Sequence, residues 1–189
     1  MSEILIRKAT LADAQELLAI YAPYVEHTAI TFEYTVPTVE EFENRMKSIM
    51  QKYPYLAAEI NGELVGYAYA SAFHARAAYD WCVETTIYVK QEMHGKGCGR
   101  KLYQELERML AKQHVLNLYA CIAYASVEDE YLTNQSKTYH EHMGYRLIGK
   151  FETCGYKFGR WYDMIWMEKM LGEHWENPEA VVSVHEIVE

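Results

Sequence analysis

Residues 82–113 constrain the fold more than any other stretch. Cys82 to Val89 is a strand-length run of β-branched and aromatic residues, closed by the polar Lys90-Gln91-Glu92. It leads into His94-Gly95-Lys96-Gly97-Cys98-Gly99-Arg100, with three alternate glycines, and then into a helix expected over about 99–113. In that helix Leu102, Leu106, Met109 and Leu110 share one face, while Lys101, Glu105, Arg108 and Lys112 lie elsewhere. With the strand predicted at Val115 to Ile122, the segment reads as a β-α-β crossover.

The flanking segments supply hairpins. Tyr55 to Ile60 and Leu64 to Phe73 are strands joined by Asn61-Gly62, a strong short hairpin signal. Before them, Ile4-Leu5-Ile6 reads as a short strand. Thr10 caps a helix with Asp13 in its first turn, and Leu17, Leu18, Ile20, Tyr21 and Tyr24 follow at helical spacing. Pro23 is expected to end or bend that helix. Thr38 and Glu41 form a capping box for a second helix with Phe42, Met46, Ile49 and Met50 as its stripe. Residues 74–81 read as a loop, Ser136 to Met143 as a short helix, and about 144–152 and 160–169 as two closing strands. The predicted class is α/β (or α+β) with a mixed sheet.

Composition removes several function classes. The 189 residues suit one domain. No apolar run approaches the ~18 residues of a membrane span, and Met-Ser-Glu-Ile-Leu-Ile-Arg-Lys carries no secretory apolar core. A net charge of −9, with no basic stripe, argues against nucleic acid. More than half of that charge comes from Glu173, Glu176, Glu179, Glu186 and Glu189, in a stretch (172–189) without Lys or Arg. The chain is therefore expected to divide into a body over 1–171 and an acidic tail over 172–189. Cys82, Cys98, Cys121 and Cys154 show no C-x-x-C spacing, which suits reduced thiols and a cytoplasmic address. His140 and His142 are badly spaced for one metal on a helix, so no metal is expected.

The glycine turn suits an anion. Glycines leave backbone amides uncovered, and the first amides of a helix lack partners at the positive end of its dipole. Lys96 and Arg100 add charge. No G-K-[ST] follows, which excludes a Walker loop, and G-x-G-x-G is not a Rossmann fingerprint. A plain strand-to-helix turn would carry the same glycines, so the residues alone leave both readings open.

His94-Gly95-Lys96-Gly97-Cys98-Gly99 resembles the [R/Q]-x-x-G-x-G/A loop of the GCN5-related N-acetyltransferases, with His at the Arg/Gln position. Further segments resemble the phosphinothricin N-acetyltransferase-like branch: Ala75-Arg76-Ala77-Ala78-Tyr79-Asp80-Trp81, Val83-Glu84-Thr85-Thr86-Ile87-Tyr88-Val89, His140-Glu141-His142-Met143-Gly144-Tyr145, and Gly155-Tyr156-Lys157-Phe158-Gly159-Arg160-Trp161-Tyr162-Asp163. The likeness spans about 4–170. It implies a central, mostly antiparallel mixed sheet of about seven strands with about four helices, acetyl-CoA as co-substrate, and a homodimer. It also implies that Ile87, Tyr88, Val89, His94, Gly95, Lys96, Gly97, Cys98, Gly99, Arg100 and Asn134 meet the cofactor. The chain departs from the pattern in a longer 124–132 connection, Thr133 where Asn is usual, and His74 where Lys is usual.

Transfer to an amine needs a base to free the lone pair and donors where charge develops. Glu84, Thr86 and Tyr88 alternate with the apolar Val83, Thr85, Ile87 and Val89. Glu84 is the candidate base, although an amphipathic strand also places an ordinary glutamate toward solvent. His140 holds a position that the resemblance gives to an acid or an orienting group, and His142 reads as a surface residue. Arg76 suits a carboxylate or phosphinate. Together with Phe32, His74, Tyr79 and Thr86 it completes the expected amine-substrate site. Trp161 and Asp163 read as braces and Cys98 as packing. The expected reaction is acetylation of the α-amine of a small amino acid or analogue such as phosphinothricin, methionine sulfoximine or methionine sulfone. Alternatives are a protein N-terminus, a lysine or a polyamine as acceptor, or a non-catalytic acyl-CoA-binding module.

Overall fold

Both turns of the hairpins are built from left-handed residues. Asn61 (φ 52°) and Gly62 (φ 85°) join β2 (Tyr55–Ile60) to β3 (Glu63–Ala72), and Phe158 (φ 51°) and Gly159 (φ 75°) join β6 (Arg146–Lys157) to β7 (Arg160–Met170). The computed structural model describes residues 3–187, so Glu189 of the acidic stretch lies outside the described residues. The remaining elements are β1 (Leu5–Lys8), α1 (Ala14–His27), α2 (Val39–Met50), β4 (Cys82–Val89), α3 (Cys98–Lys112), β5 (Asn117–Tyr124) and α4 (Gln135–His142). Among the described residues these form one seven-stranded sheet in the order β1-β2-β3-β4-β5-β7-β6, antiparallel except for β4 and β5. No described helix is long and apolar enough to cross a membrane.

The parallel pair is short. β4 and β5 stay in register only for Cys82–Asn117, Val83–Leu118 and Glu84–Tyr119. Beyond these rungs β4 continues against β3 to Val89, and β5 continues against β7 to Tyr124. The sheet therefore forks at Glu84. On one face α3 lays Leu102, Leu106 and Leu110 against Val83, Leu118, Ile165 and Met167. On the other, Leu17 and Tyr21 of α1 and Phe42 of α2 cover Tyr55 and Tyr67.

Three expectations change. α1 runs through Pro23 to His27. Proline removes one helical hydrogen bond, but the last turn is held from outside: Thr28 Oγ1 donates to Tyr24 O (2.7 Å) and Lys157 Nζ to Val25 O (2.8 Å). β6 extends to Lys157, beyond the predicted end near 152, with Thr153 in a left-handed conformation (φ 47°) where the register shifts. The acidic segment after 171 is not a free tail. Val184 is buried, with Val181 and Ile187 packed on the α3 core. Gln113 Nε2 donates to the Val182 and Lys52 carbonyls (2.7 Å each), and Trp81 Nε1 donates to Glu179 O (2.7 Å). The boundary at 171 is one of charge, not of packing.

Candidate active site

The fork opens into a cleft of about 920 Å³ between the end of β4, the glycine turn and α4. Every residue expected to meet the cofactor lines it: Ile87, Tyr88, Val89, the run His94–Arg100, and Asn134. Gly95 (φ 73°) and Gly97 (φ 85°) adopt left-handed conformations that a side chain would disfavour, and a Cβ at either would meet no atom within 4 Å. Gly97 is the N-cap of α3 and supplies no side-chain cap, so the opening amides of that helix, on residues that line the cleft, have no side-chain acceptor among the described residues. Gly99 is required for another reason: a Cβ there would stand 3.2 Å from the Tyr139 ring, whose hydroxyl donates to Gly99 O (2.9 Å). Lys96 and Arg100 line the same cleft. Open amides plus two cations fit a pyrophosphate. Cys98 is buried and its thiol is pushed up to about 11 by burial, which leaves it a packing residue.

Two residues support this cleft through contacts that carried no sequence signal. Tyr24, placed in the α1 stripe as a core residue, reaches across to the turn. Its hydroxyl donates to Val89 O and lies 2.9 Å from His94 Nε2, so the imidazole N–H donates to Tyr24. Asn134 spends its amide locally, accepting from Ala125 N (3.2 Å) and donating to Ala125 O (2.9 Å), and so ties α4 to the end of β5. The inserted 124–132 connection is likewise clamped: Asp129 accepts from the Tyr131 and Leu132 amides and from the Tyr162 hydroxyl (2.8, 2.9 and 2.9 Å).

Glu84 sits at the last rung before the fork, opposite Ser71 of β3 and Tyr119 of β5. It is partly buried and has no hydrogen bond or ion pair among the described residues, and burial alone raises its carboxyl above the usual range. Thr86 shares its face, beside Tyr69. Beyond Glu84, His74 and Tyr79 pack together (centroids 4.9 Å apart) at the rim with Phe73, and Arg76 is exposed between them in sequence, with no acid partner among the described residues. Phe32 comes from the α1–α2 connection and packs against Gly155, where a Cβ would fall 2.2 Å from Phe32 Cε2; it also stacks on Tyr162 at 6.5 Å.

His140 is placed elsewhere. It is buried in the core on the opposite face of β4 and is not among the cleft-lining residues. Nδ1 donates to Ser136 O (2.7 Å), so Nε2 accepts from the Tyr103 hydroxyl (3.0 Å), which also neighbours Thr85 Oγ1 (3.3 Å). Burial lowers the imidazole to about 4, which keeps it neutral near pH 7. His142 is exposed, as its surface reading expected, and stands where the helix borders the cleft. Lys157 is a brace: its ammonium binds the Val25 and Thr31 carbonyls (2.8 Å each). Asp163 braces too, accepting from Ser126 Oγ (2.9 Å) and Thr153 N (2.8 Å).

A glycine-lined cleft fit for a pyrophosphate, at the fork of a mixed seven-stranded sheet, defines a class of protein, and the comparisons agree. Residues 6–166 match the acetyltransferase (GNAT) domain, and the chain belongs to this family of acetyltransferases. It is 33% identical to a phosphinothricin N-acetyltransferase of Streptomyces viridochromogenes over 159 residues (84% of this chain, 83% of that protein). It is 31% identical to an L-methionine sulfoximine/L-methionine sulfone acetyltransferase of Salmonella typhimurium over 172 residues (89% and 95%). A phosphinothricin acetyltransferase of Sinorhizobium meliloti, solved in complex with AcCoA, superimposes with a TM-score of 0.86 at 33% identity, covering 99% of this chain and 98% of that one.

Proposed function

We propose that the protein transfers the acetyl group of acetyl-CoA to the α-amine of a small amino acid or analogue, with Glu84 as the base. One observation carries the reading: a part-buried carboxylate without a hydrogen-bond or ion-pair partner among the described residues stands where β4 and β5 separate, on the strand that leads to the glycine turn. The co-substrate is supported by the fit of the open amides, Lys96 and Arg100, and by the AcCoA complex of the related structure. When bound, acetyl-CoA supplies an acetyl group already activated as a thioester.

The chain's own residues do the rest. The amides of the glycine turn and of the first turn of α3 hold the pyrophosphate. The β4 edge freed by the fork offers backbone donors and acceptors beside it. Glu84 takes a proton from the acceptor's ammonium and leaves the nitrogen lone pair free to attack. Its raised pKa brings it closer to the operating pH, where a general base is most effective. The part we assign to His140 is to hold Tyr103 and Thr85 behind the strand. The acceptor class follows the names of the relatives, which act on phosphinothricin and on methionine sulfoximine or sulfone. A homodimer is supported by exposed Leu147, Ile148 and Phe151 on edge strand β6. Four free cysteines suit a reducing compartment.

The test is release of free CoA thiol from acetyl-CoA with a panel of amino acids, peptides and polyamines. Turnover with free α-amino acids is expected. No release with any amine, while acetyl-CoA still binds, would refute the reading. Preference for peptides or polyamines would replace the acceptor.

A further inference from the structure

The face of the sheet that carries Glu84 continues, past its strand neighbours, into a set of aromatic rings that the mechanism above does not use. Phe73 lies two residues beyond Ser71, and its amide donates to Cys82 O (3.4 Å). Its ring stacks on Tyr119 at 4.5 Å, the residue in register with Glu84 on β5. Trp166 of β7, paired with Cys121 and so on the face of Tyr119, meets the Phe73 ring edge-on at 5.5 Å. His74 and Tyr79 close the rim against Phe73 at 4.3 and 6.0 Å. Phe73, Tyr119 and Trp166 are all only partly buried, so ring surface remains open beside the carboxylate.

Charge on this face is sparse. Glu168 is neutralised by Arg146, and Asp80 by Lys52. Arg76 is the cation at the rim with no acid partner among the described residues; Lys96 and Arg100 belong to the cofactor cleft. One cation can match one carboxylate. An acceptor with a second anionic group would hold it against aromatic rings and close to Glu84, at a cost in desolvation and repulsion.

We propose that the preferred acceptor is an α-amino acid with an aromatic side chain and a single carboxylate, its ring on the Phe73–Tyr119–Trp166 floor and its carboxylate at Arg76. This deepens the function proposed above and rests on Glu84 being the base. The offset-stacked and edge-on geometries among these rings are those by which one further aromatic ring is held.

The experiment measures kcat/KM for L-phenylalanine, L-tryptophan, L-alanine, L-glutamate, phosphinothricin and phenethylamine, in the wild type, Phe73→Ala and Arg76→Gln. Acetyl-CoA affinity and thermal midpoint serve as controls. Phenylalanine or tryptophan is expected to exceed phosphinothricin and glutamate by about tenfold or more. Phe73→Ala is expected to lower the phenylalanine value about tenfold through KM and to leave alanine within about twofold. Arg76→Gln is expected to weaken phenylalanine and to spare phenethylamine, which has no carboxylate. Equal or better use of phosphinothricin or glutamate overturns the proposal, as does a Phe73→Ala loss that is the same for alanine. Silence with every amine, despite intact acetyl-CoA binding, refutes the enzymatic reading of Glu84 itself.

Discussion

The two faces of β4 differ sharply at adjacent residues. Glu84 points to a face where it is partly buried and has no partner among the described residues. Thr85 points to the other, where its hydroxyl lies within 3.0–3.3 Å of Tyr145, Tyr103 and Tyr119 O, with His140 behind Tyr103. Both faces bury titratable groups, yet only one leaves a group free to exchange a proton with a ligand. Burial with every polar atom bonded makes a brace. Burial without a bond makes a group whose charge is unsettled, and that is what a base requires.

The comparison breaks most visibly at Glu84. Glu84→Gln is expected to lower kcat/KM by about 10²–10⁴. The same variant is expected to be more stable than the wild type near pH 7. The folded-state carboxyl is raised above its unfolded value, so its ionised form is a burden that grows as pH rises through the window between the two values. Below the ordinary glutamate range both states are protonated and the gain disappears. In the wild type, the acid limb of the kcat/KM profile is expected above the ordinary glutamate pKa. Full activity in the glutamine variant at all pH values would remove Glu84 from the chemistry.

His140→Gln probes the opposite face, with an expected loss of about 1–3 kcal/mol in unfolding free energy and less than tenfold in kcat. In the wild type burial lowers the folded imidazole to about 4 from its ordinary 6.5. The stability it contributes is complete above 6.5 and is lost as pH falls toward 4, so the acid slope of the melting temperature is expected to flatten in the variant. A loss of kcat as large as that of the Glu84 variant, without destabilisation, would place His140 in the chemistry.

Gly155→Ala acts on Phe32, a residue expected in the acceptor site. The added Cβ would stand 2.2 Å from the Phe32 ring, and the forced shift is expected to cost about 1–3 kcal/mol, read as a lower melting temperature. The smallest effect is expected from Tyr24→Phe. It removes the hydroxyl between Val89 O and His94 and should raise KM for acetyl-CoA several-fold, with kcat within about twofold. A fall in kcat without a change in KM would show that Tyr24 acts on the reacting groups and not on the cradle.

Much of this was legible in the sequence because it rests on local rules. β4 matches its predicted bounds, Cys82 to Val89, since six of its eight residues are β-branched or aromatic. The Thr38–Glu41 box forms as its spacing requires, with Glu41 N donating to Thr38 Oγ1 at 3.2 Å and the Glu41 carboxylate accepting from Thr38 N at 2.8 Å. The glycine turn was readable for the same reason. What escaped depends on distant partners. Pro23 does not end α1, because Lys157, 132 residues away from Val25, holds the last turn. Phe158-Gly159 is an unusual left-handed turn made tolerable by Phe158 stacking on Tyr131 at 4.3 Å. His140 and His142 sit in a helix with one buried residue, whose polar sequence Gln-Ser-Lys-Thr-Tyr-His-Glu-His does not say which side faces inward. Five glutamates set the 172–189 stretch apart by charge, while Val181, Val184 and Ile187 pack it on the α3 core.

The fork at Glu84 also sets a clock. On the β3 side, the amides of β4 are locked into a ladder through Val89, whereas on the β5 side the ladder stops after three rungs. Alternate amides between Thr85 and Val89 should therefore swap their hydrogens for deuterium much faster than their neighbours, deep inside a sheet that is otherwise slow to exchange. An occupant of the fork replaces the missing rungs, so the difference between the two rims of a single strand reports occupancy amide by amide, with no turnover needed.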